Sequence, residues 1–198
     1  FEKFDWFISS ENYLVISGKN AQQNESLVKR YLNKGDLFMH TDMPGAAVTV
    51  IKNPNPAVDV PPITLNEAAV YEVGHSRAWD AKIVTDVYWV HADQVSKTPP
   101  TGLYISTGSF IIRGKRYFIT PNKLELGFTL MFSLSPESIA NHIGERRPRN
   151  QQGEDDGNPQ QDPIEEPLED QQPELSQSDS INPDEPYSVV QVGENKEE

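Results

Sequence analysis

No cysteine occurs among the 198 residues, so disulfide bonds, thiol catalysis and thiolate metal sites are excluded, and a reducing compartment is compatible with the chain. No apolar run approaches the about 18 residues that a membrane-spanning helix needs, so no such span is expected. The opening FEKFDWF has neither the charged start nor the apolar centre of a signal peptide. Its first residue is Phe rather than Met, which suggests a fragment of a longer protein. A Walker loop, a dinucleotide-binding glycine fingerprint and a Gly-x-Ser-x-Gly elbow are all missing. Nothing in these patterns compels an enzyme or calls for a cofactor.

Basic residues are nearly absent from one part of the chain only. Residues 1–150 carry 16 Lys+Arg against 15 Asp+Glu, a net of +1, whereas 151–198 carry one Lys and 15 acids, a net of -14; together these give the whole-chain -13. The acidic total therefore says little about the first 150 residues, whose cations can still gather on one surface. From about Asn150 onward Gln, Glu, Asp, Pro, Ser and Asn dominate, and such a stretch buries too little apolar surface to offset its ordering entropy. We expect a folded domain over 1–149 and an acidic, low-complexity, disordered tail over 150–198, a linker or solubilising segment or a mimic of nucleic acid. Within it Tyr187–Val192 is a small apolar island suited to docking.

Alternation over Phe4–Ser9 and Tyr13–Ser17 predicts a hairpin across Glu11-Asn12, and Leu27, Val28, Tyr31 and Leu32 mark one face of a helix ending near Lys34-Gly35. Asp36–His40 and Ala46–Lys52 read as strands around a Met43-Pro44-Gly45 turn. Thr64 and Glu67 have capping-box spacing and open the longest expected helix, reaching Trp79, slim enough through Ala68, Ala69, Gly74 and Ala78 to lie close on a sheet. Ile83–His91 and Leu126–Leu134 read as strands, and Ser135-Pro136 starts a short last helix. The sum is an α+β fold: a mixed, mostly antiparallel sheet, two main helices and a short C-terminal helix, followed by the disordered tail.

Chemistry concentrates between Gln94 and Phe118, where a Pro/Gly/Ser/Thr loop runs into Arg113-Gly114-Lys115-Arg116 between two apolar half-strands. Glycine at the first loop position suits a tight two-residue hairpin, which would project Arg113, Lys115 and Arg116 while Ile111, Ile112, Tyr117 and Phe118 hold its base. Lys97 and the hydroxyls of Ser96, Thr98, Thr101 and Thr107 add donors, Tyr104 adds a ring for an unpaired base, and Arg146, Arg147 and Arg149 follow the core. Phosphate contact draws on this mixture. The plain alternative is a solvated hairpin tip. Trp6, Trp79 and Trp89 read as core residues.

Two His-x-Asp pairs, His40/Asp42 and His91/Asp93, would each present imidazole and carboxylate on one side of a strand. With His75 they form a second reading, a metal-dependent hydrolase. A third is a protein-interaction module using the core sheet, with the acidic tail attracting basic partners.

The blocks WFISSENYLVISGKNAQQNESLVKRYL, DLFMHTDMPGA, WVHADQVSKTPPTGLYISTGSFIIRGKRYF and HIGERR together resemble the NFACT-R (NFACT RNA-binding) domain of the nuclear export mediator factor (NEMF/Caliban) family of ribosome-associated quality control proteins, over roughly 1–149. The resemblance implies a non-enzymatic RNA-binding module of the cytoplasm, with the nucleus as a second location. Its implied partners are the stalled large ribosomal subunit with peptidyl-tRNA, free tRNA recruited for C-terminal tailing of nascent chains, and the ubiquitin ligase Listerin through the full-length protein. It implies no membrane, metal or cofactor. Carried over to matching stretches, it places RNA contact on His40–Gly45, Lys97–Thr101 and Arg113–Arg116. Lys97, Arg113, Lys115 and Arg116 would then meet phosphates, and His40 a phosphate or sugar hydroxyl, beside Thr98 and Tyr104.

Overall fold

The first two strands of the domain form the expected hairpin, β1 (Asp5–Ile8) against β2 (Leu14–Ser17), in the computed structural model, which describes residues 3–43, 45–99, 104–128, 130–148 and 187–190. Asn12 takes φ 72 in the turn, a left-handed conformation that Asn tolerates better than most side chains. Helix α1 (Ala21–Tyr31) starts where the Asn20 side chain accepts the Gln23 N–H at 2.9 Å, and Lys29 and Arg30 complement its C-terminal dipole. Strands β3 (Leu37–His40) and β4 (Thr49–Lys52) follow, then α2 (Pro62–Gly74), α3 (Ala78–Ala81) and β5 (Val87–His91). The chain continues through a 3-10 turn at Ala92–Gln94, β6 (Val95–Ser96), β7 (Phe110–Arg113), β8 (Tyr117–Ile119) and a second 3-10 turn at Ile139–His142. A last strand, β9, comes from Tyr187–Val190.

A six-stranded sheet runs β1-β2-β4-β3-β5-β8 and a three-stranded sheet runs β6-β7-β9; every pairing among the described residues is antiparallel. The larger sheet buries both faces. On one, Val15, Leu37, Met39, Ile51 and Val87 meet Ala68, Ala69 and Val73 of α2 and Ala78 of α3. The small side chains of α2 leave room for close packing, as the sequence predicts. On the other face Phe38, Val48, Val50, Tyr88 and Val90 meet Leu27 of α1 and Phe110, Ile112 and Val190 of the smaller sheet. The α+β architecture is the expected one.

Several elements differ in detail. Thr64 and Glu67 do not cap a helix: α2 begins at Pro62, whose fixed φ suits a first helical position. Their side chains instead hold the β1–β2 turn, Thr64 donating to the Glu11 carboxylate at 3.1 Å and Glu67 accepting the Ser10 N–H at 2.9 Å. The long helix breaks before Trp79 because the Ser76 hydroxyl donates to Val73 O at 2.6 Å and accepts the Ala78 N–H at 3.1 Å, ending α2 and restarting the chain as α3. The expected strand over Leu126–Leu134 does not form among the described residues. Leu126 packs against Gly74, where a Cβ would lie 2.8 Å from its Cδ2, and beyond it Phe128, Met131 and Phe132 stand exposed. The segment pairs with none of the described strands. Of the tail, 187–190 is ordered as β9 rather than disordered; the remaining expectation of disorder, for 150–186 and 191–198, lies outside the described residues.

Candidate nucleic-acid interface

Arg113-Gly114-Lys115-Arg116 is a corner between two sheets and not a hairpin tip. β7 pairs with β6 and β9, whereas β8 pairs with β5, so the two flanking half-strands never meet as a ladder. Gly114 still supplies the left-handed turn, at φ 73. The corner is pinned by Gln94, whose side-chain amide donates to Arg113 O at 2.7 Å and Lys115 O at 2.9 Å while its Oε1 accepts the His91 N–H at 3.0 Å. A rigid support for the cations therefore exists, built from a residue outside the motif.

What each cation does differs from the sequence expectation. Lys115 is exposed, its ammonium 5.1 Å above the Tyr117 ring. Arg116 does not project: its guanidinium lies 4.3 Å over Tyr88, donates to the Ser188 hydroxyl and stands 3.9 Å from the Asp42 carboxylate, leaving the side chain 20% exposed. Arg113 is half-buried opposite Tyr187, with its Nε enclosed and without a hydrogen-bond partner among the described residues. The Tyr88 hydroxyl is pushed above its ordinary pKa by burial, with Arg116 opposing and the Asp42 and Glu72 carboxylates adding to the rise.

Lys97 is not part of this ledge. Its ammonium has three donors and three acceptors already, Ser106 O at 2.9 Å, Ser109 O at 3.0 Å and the Glu25 carboxylate at 3.2 Å, and it sits 5.3 Å from the Phe110 ring centroid. Register sets Val95 opposite Ile112 and Ser96 opposite Ile111, so Lys97 follows toward the Phe110 end of β7, about 10 Å along the strand from Arg113 at ~3.4 Å per residue. Glu25 also accepts the Gly108 N–H at 3.1 Å. Burial raises its carboxyl pKa, but the Gly108 bond and Lys97 outweigh that and hold it below 4.5. The group staples Lys97 and the segment around Gly108 to α1.

His40 is a core residue and cannot meet RNA from where it lies, being 3% exposed. Its Nδ1 is 2.6 Å from Ala47 O and 3.3 Å from Glu72, whose other oxygen accepts the Thr49 hydroxyl. Because His40 turns inward while Asp42 is 78% exposed, the first His-x-Asp pair does not share a face. His91 instead caps the Ala92–Gln94 turn, and no group of three metal-ligating side chains forms among the described residues, so the hydrolase arrangement is not built. Thr98 and Tyr104 are exposed, and the Thr98 N–H donates to Ser96 Oγ at 3.1 Å. Arg146 is spent on the β1–β2 turn, donating to Asn12 Oδ1 at 2.9 Å; Arg147 is exposed. Pro44, Pro100, Thr101 and Arg149 lie outside the described residues.

Sequence reasoning missed an aromatic column beside the corner. Tyr117 stacks on Trp89 with ring centroids 4.4 Å apart at 16°, and His91 meets both rings edge-on at 5.5 and 6.3 Å. On the opposite face of β8, Phe118 is 61% exposed and touches Tyr88 edge-on at 6.0 Å. Phe118 is thus an open ring and not a base for the corner. The pairing of Trp89 with Tyr117 was invisible because the strands that bear them are 26 residues apart in sequence and meet only through the β5–β8 ladder. Along this sheet edge Lys115, on the Tyr117 face, is a cation without a carboxylate partner among the described residues, while the partly neutralised Arg116 and the open Phe118 ring lie on the Tyr88 face.

Comparison with known proteins places the chain in a family. Residues 3–114 match the family model described as the NFACT protein RNA binding domain. The chain is 53% identical over 149 residues to the ribosome quality control complex subunit NEMF homolog of Drosophila melanogaster, covering 75% of this chain and 15% of that protein. It is 52% identical over 149 residues to the ribosome quality control complex subunit NEMF of Homo sapiens, covering 75% of this chain and 14% of that protein. The chain therefore spans about 15% of the length of the curated relatives it matches. Among solved structures, the C-terminal part of the fibronectin/fibrinogen-binding protein from Streptococcus suis superposes with a TM-score of 0.50 at 25% identity, over 61% of this chain and 46% of that one. With the family model matching more than half of its residues, the chain belongs to the family of the NFACT protein RNA binding domain.

Proposed function

We propose that this domain is the RNA-contacting module of a ribosome-associated quality control factor and works by binding, not by catalysis. In this reading the Lys115 corner seats a ribose-phosphate chain and Phe118 stacks on an unpaired base, with Arg116 contributing part of its charge. The RNA is that of a stalled large ribosomal subunit with its peptidyl-tRNA, or a tRNA recruited for tailing the nascent chain. Listerin is engaged through the remainder of the full-length protein, in the cytoplasm. The observation that carries the reading is the exposed Lys115 on a corner clamped by Gln94, with the open Phe118 ring on the other face of the same edge strand, in a chain of this family. Cations on a fixed support neutralise phosphate, and rings on a sheet edge accept bases.

Titration of labelled tRNA with the Lys115→Glu and Phe118→Ala variants tests it. Lys115→Glu should weaken binding about tenfold at low salt and flatten the plot of log K against log salt by ~0.7–0.9, as expected for one lost phosphate contact. Phe118→Ala should cost about 1–3 kcal/mol of binding without changing that slope, because stacking releases no counterions. Unchanged binding by both variants would remove the corner from the interface.

A further inference from the structure

The edge of β7 that carries β9 has the properties of a peptide-accepting site. β9 is four residues long and is separated from the described end of the domain, at residue 148, by the acidic stretch 149–186. It adds to the sheet in antiparallel register, Phe110 opposite Val190 and Arg113 opposite Tyr187. Two kinds of contact mark what the edge selects. Val190 is 4% exposed and completes the core cluster that contains Phe110, Ile112 and Leu27. Two residues earlier, the Ser188 hydroxyl accepts from Arg116. Tyr187 and Val189 face outward and are partly exposed.

We propose that the β7 edge is a binding site for an extended peptide, filled in this chain by its own residues 187–190 and specific for a small hydroxyl residue followed two places later by a β-branched one. Main-chain bonds to a sheet edge supply affinity in this mode, and pockets for alternate side chains supply selectivity. Arg116 reads the hydroxyl, and the gap beside Phe110 and Ile112 reads the β-branched side chain. An anionic lead-in is favoured as well, since the donor strand enters at the end of β7 where Arg113, Lys115 and Arg116 gather; in this chain Asp184 and Glu185 precede it in sequence. A tethered strand has an effective concentration of about a millimolar, so a separate peptide of the same chemistry competes only when the tethered one is weakened.

The test uses the full 198-residue chain and a fluorescent nonapeptide, Asp-Glu-Pro-Tyr-Ser-Val-Val-Gln-Val, copied from 184–192. Val190→Asp in the protein should free the edge, so that the labelled peptide binds this variant at least tenfold more tightly than it binds the unchanged chain. Replacing the first Val-Val of the peptide by Val-Asp should abolish binding, and adding Arg116→Ala to the variant should weaken it. Hydrogen exchange gives a second readout that needs no substitution: amides of 187–190 in the unchanged chain should exchange slowly, and no protection there overturns the docked strand. Equal peptide binding to both proteins overturns the site. A dimer of the unchanged chain that grows with concentration and is lost in Val190→Asp would assign β9 to a neighbouring copy and overturn the self-filled arrangement.

Discussion

Single residues carry two unlike kinds of charge in this domain, and burial separates them. Lys97, Glu25 and the Gly108 N–H form a closed set that holds a loop to a helix, while among the described residues the Lys115 ammonium meets only the Tyr117 ring. The Glu25 carboxyl sits below its ordinary value of 4.5, so its contribution to stability is fully present above that pH and is lost as the pH falls through the lower, folded value. Glu25→Gln should therefore destabilise the domain by about 1.5–2 kcal/mol at pH 7, at the low end of the range for a hydrogen bond to a charged group. The difference should shrink toward zero once the pH has fallen through the folded value, where the native carboxyl is also protonated. Melting temperatures of both proteins across that range check it. A difference that persists unchanged into acid would mean that packing, not the carboxylate, explains the effect.

Elements decide what the residues can reach. The corner between β7 and β8 belongs to two sheets at once, which is why Arg116 folds back over Tyr88 and touches β9 while Lys115 faces out. The stretch beyond Leu126 shows the reverse situation: it is rich in apolar residues yet finds no ladder among the described strands. Phe132 is 88% exposed, so Phe132→Ser should change stability by no more than about 0.5 kcal/mol in a denaturant titration. A loss of about 3 kcal/mol or more, as for a truncated core phenylalanine, would show the segment packed as the strand its composition suggests.

Across the whole molecule, the -13 charge is held almost entirely by 151–198, with the first 150 residues near neutrality. A tethered polyanion competes with RNA for the same cations and raises the negative potential that RNA must approach. Replacing the acids of 151–186 by Asn and Gln should therefore strengthen tRNA association in low salt. The gain should fade toward 1 M salt, where the Debye length is about 3 Å. Equal affinity at low ionic strength would show that the acidic stretch does not act on the RNA surface.

How much of this was legible before folding depended on the range over which each signal acts. Local chemistry fixed the hairpin at Asn12, the apolar face of α1, the glycine turn at 114 and the thin face of α2, because turns and periodic burial are written within a few neighbouring residues. Long blocks of the family pattern identified the domain for the same reason. Which cations stay free was not written there. His40 and Lys97 look available in sequence and become enclosed by Glu72 and Glu25, partners 32 and 72 residues away. The Trp89–Tyr117 column, the two-sheet corner and the place of 187–190 on β7 likewise exist only through pairing of distant strands. Composition determined that cations and rings would be present; the order in which strands joined the two sheets decided which of them face water.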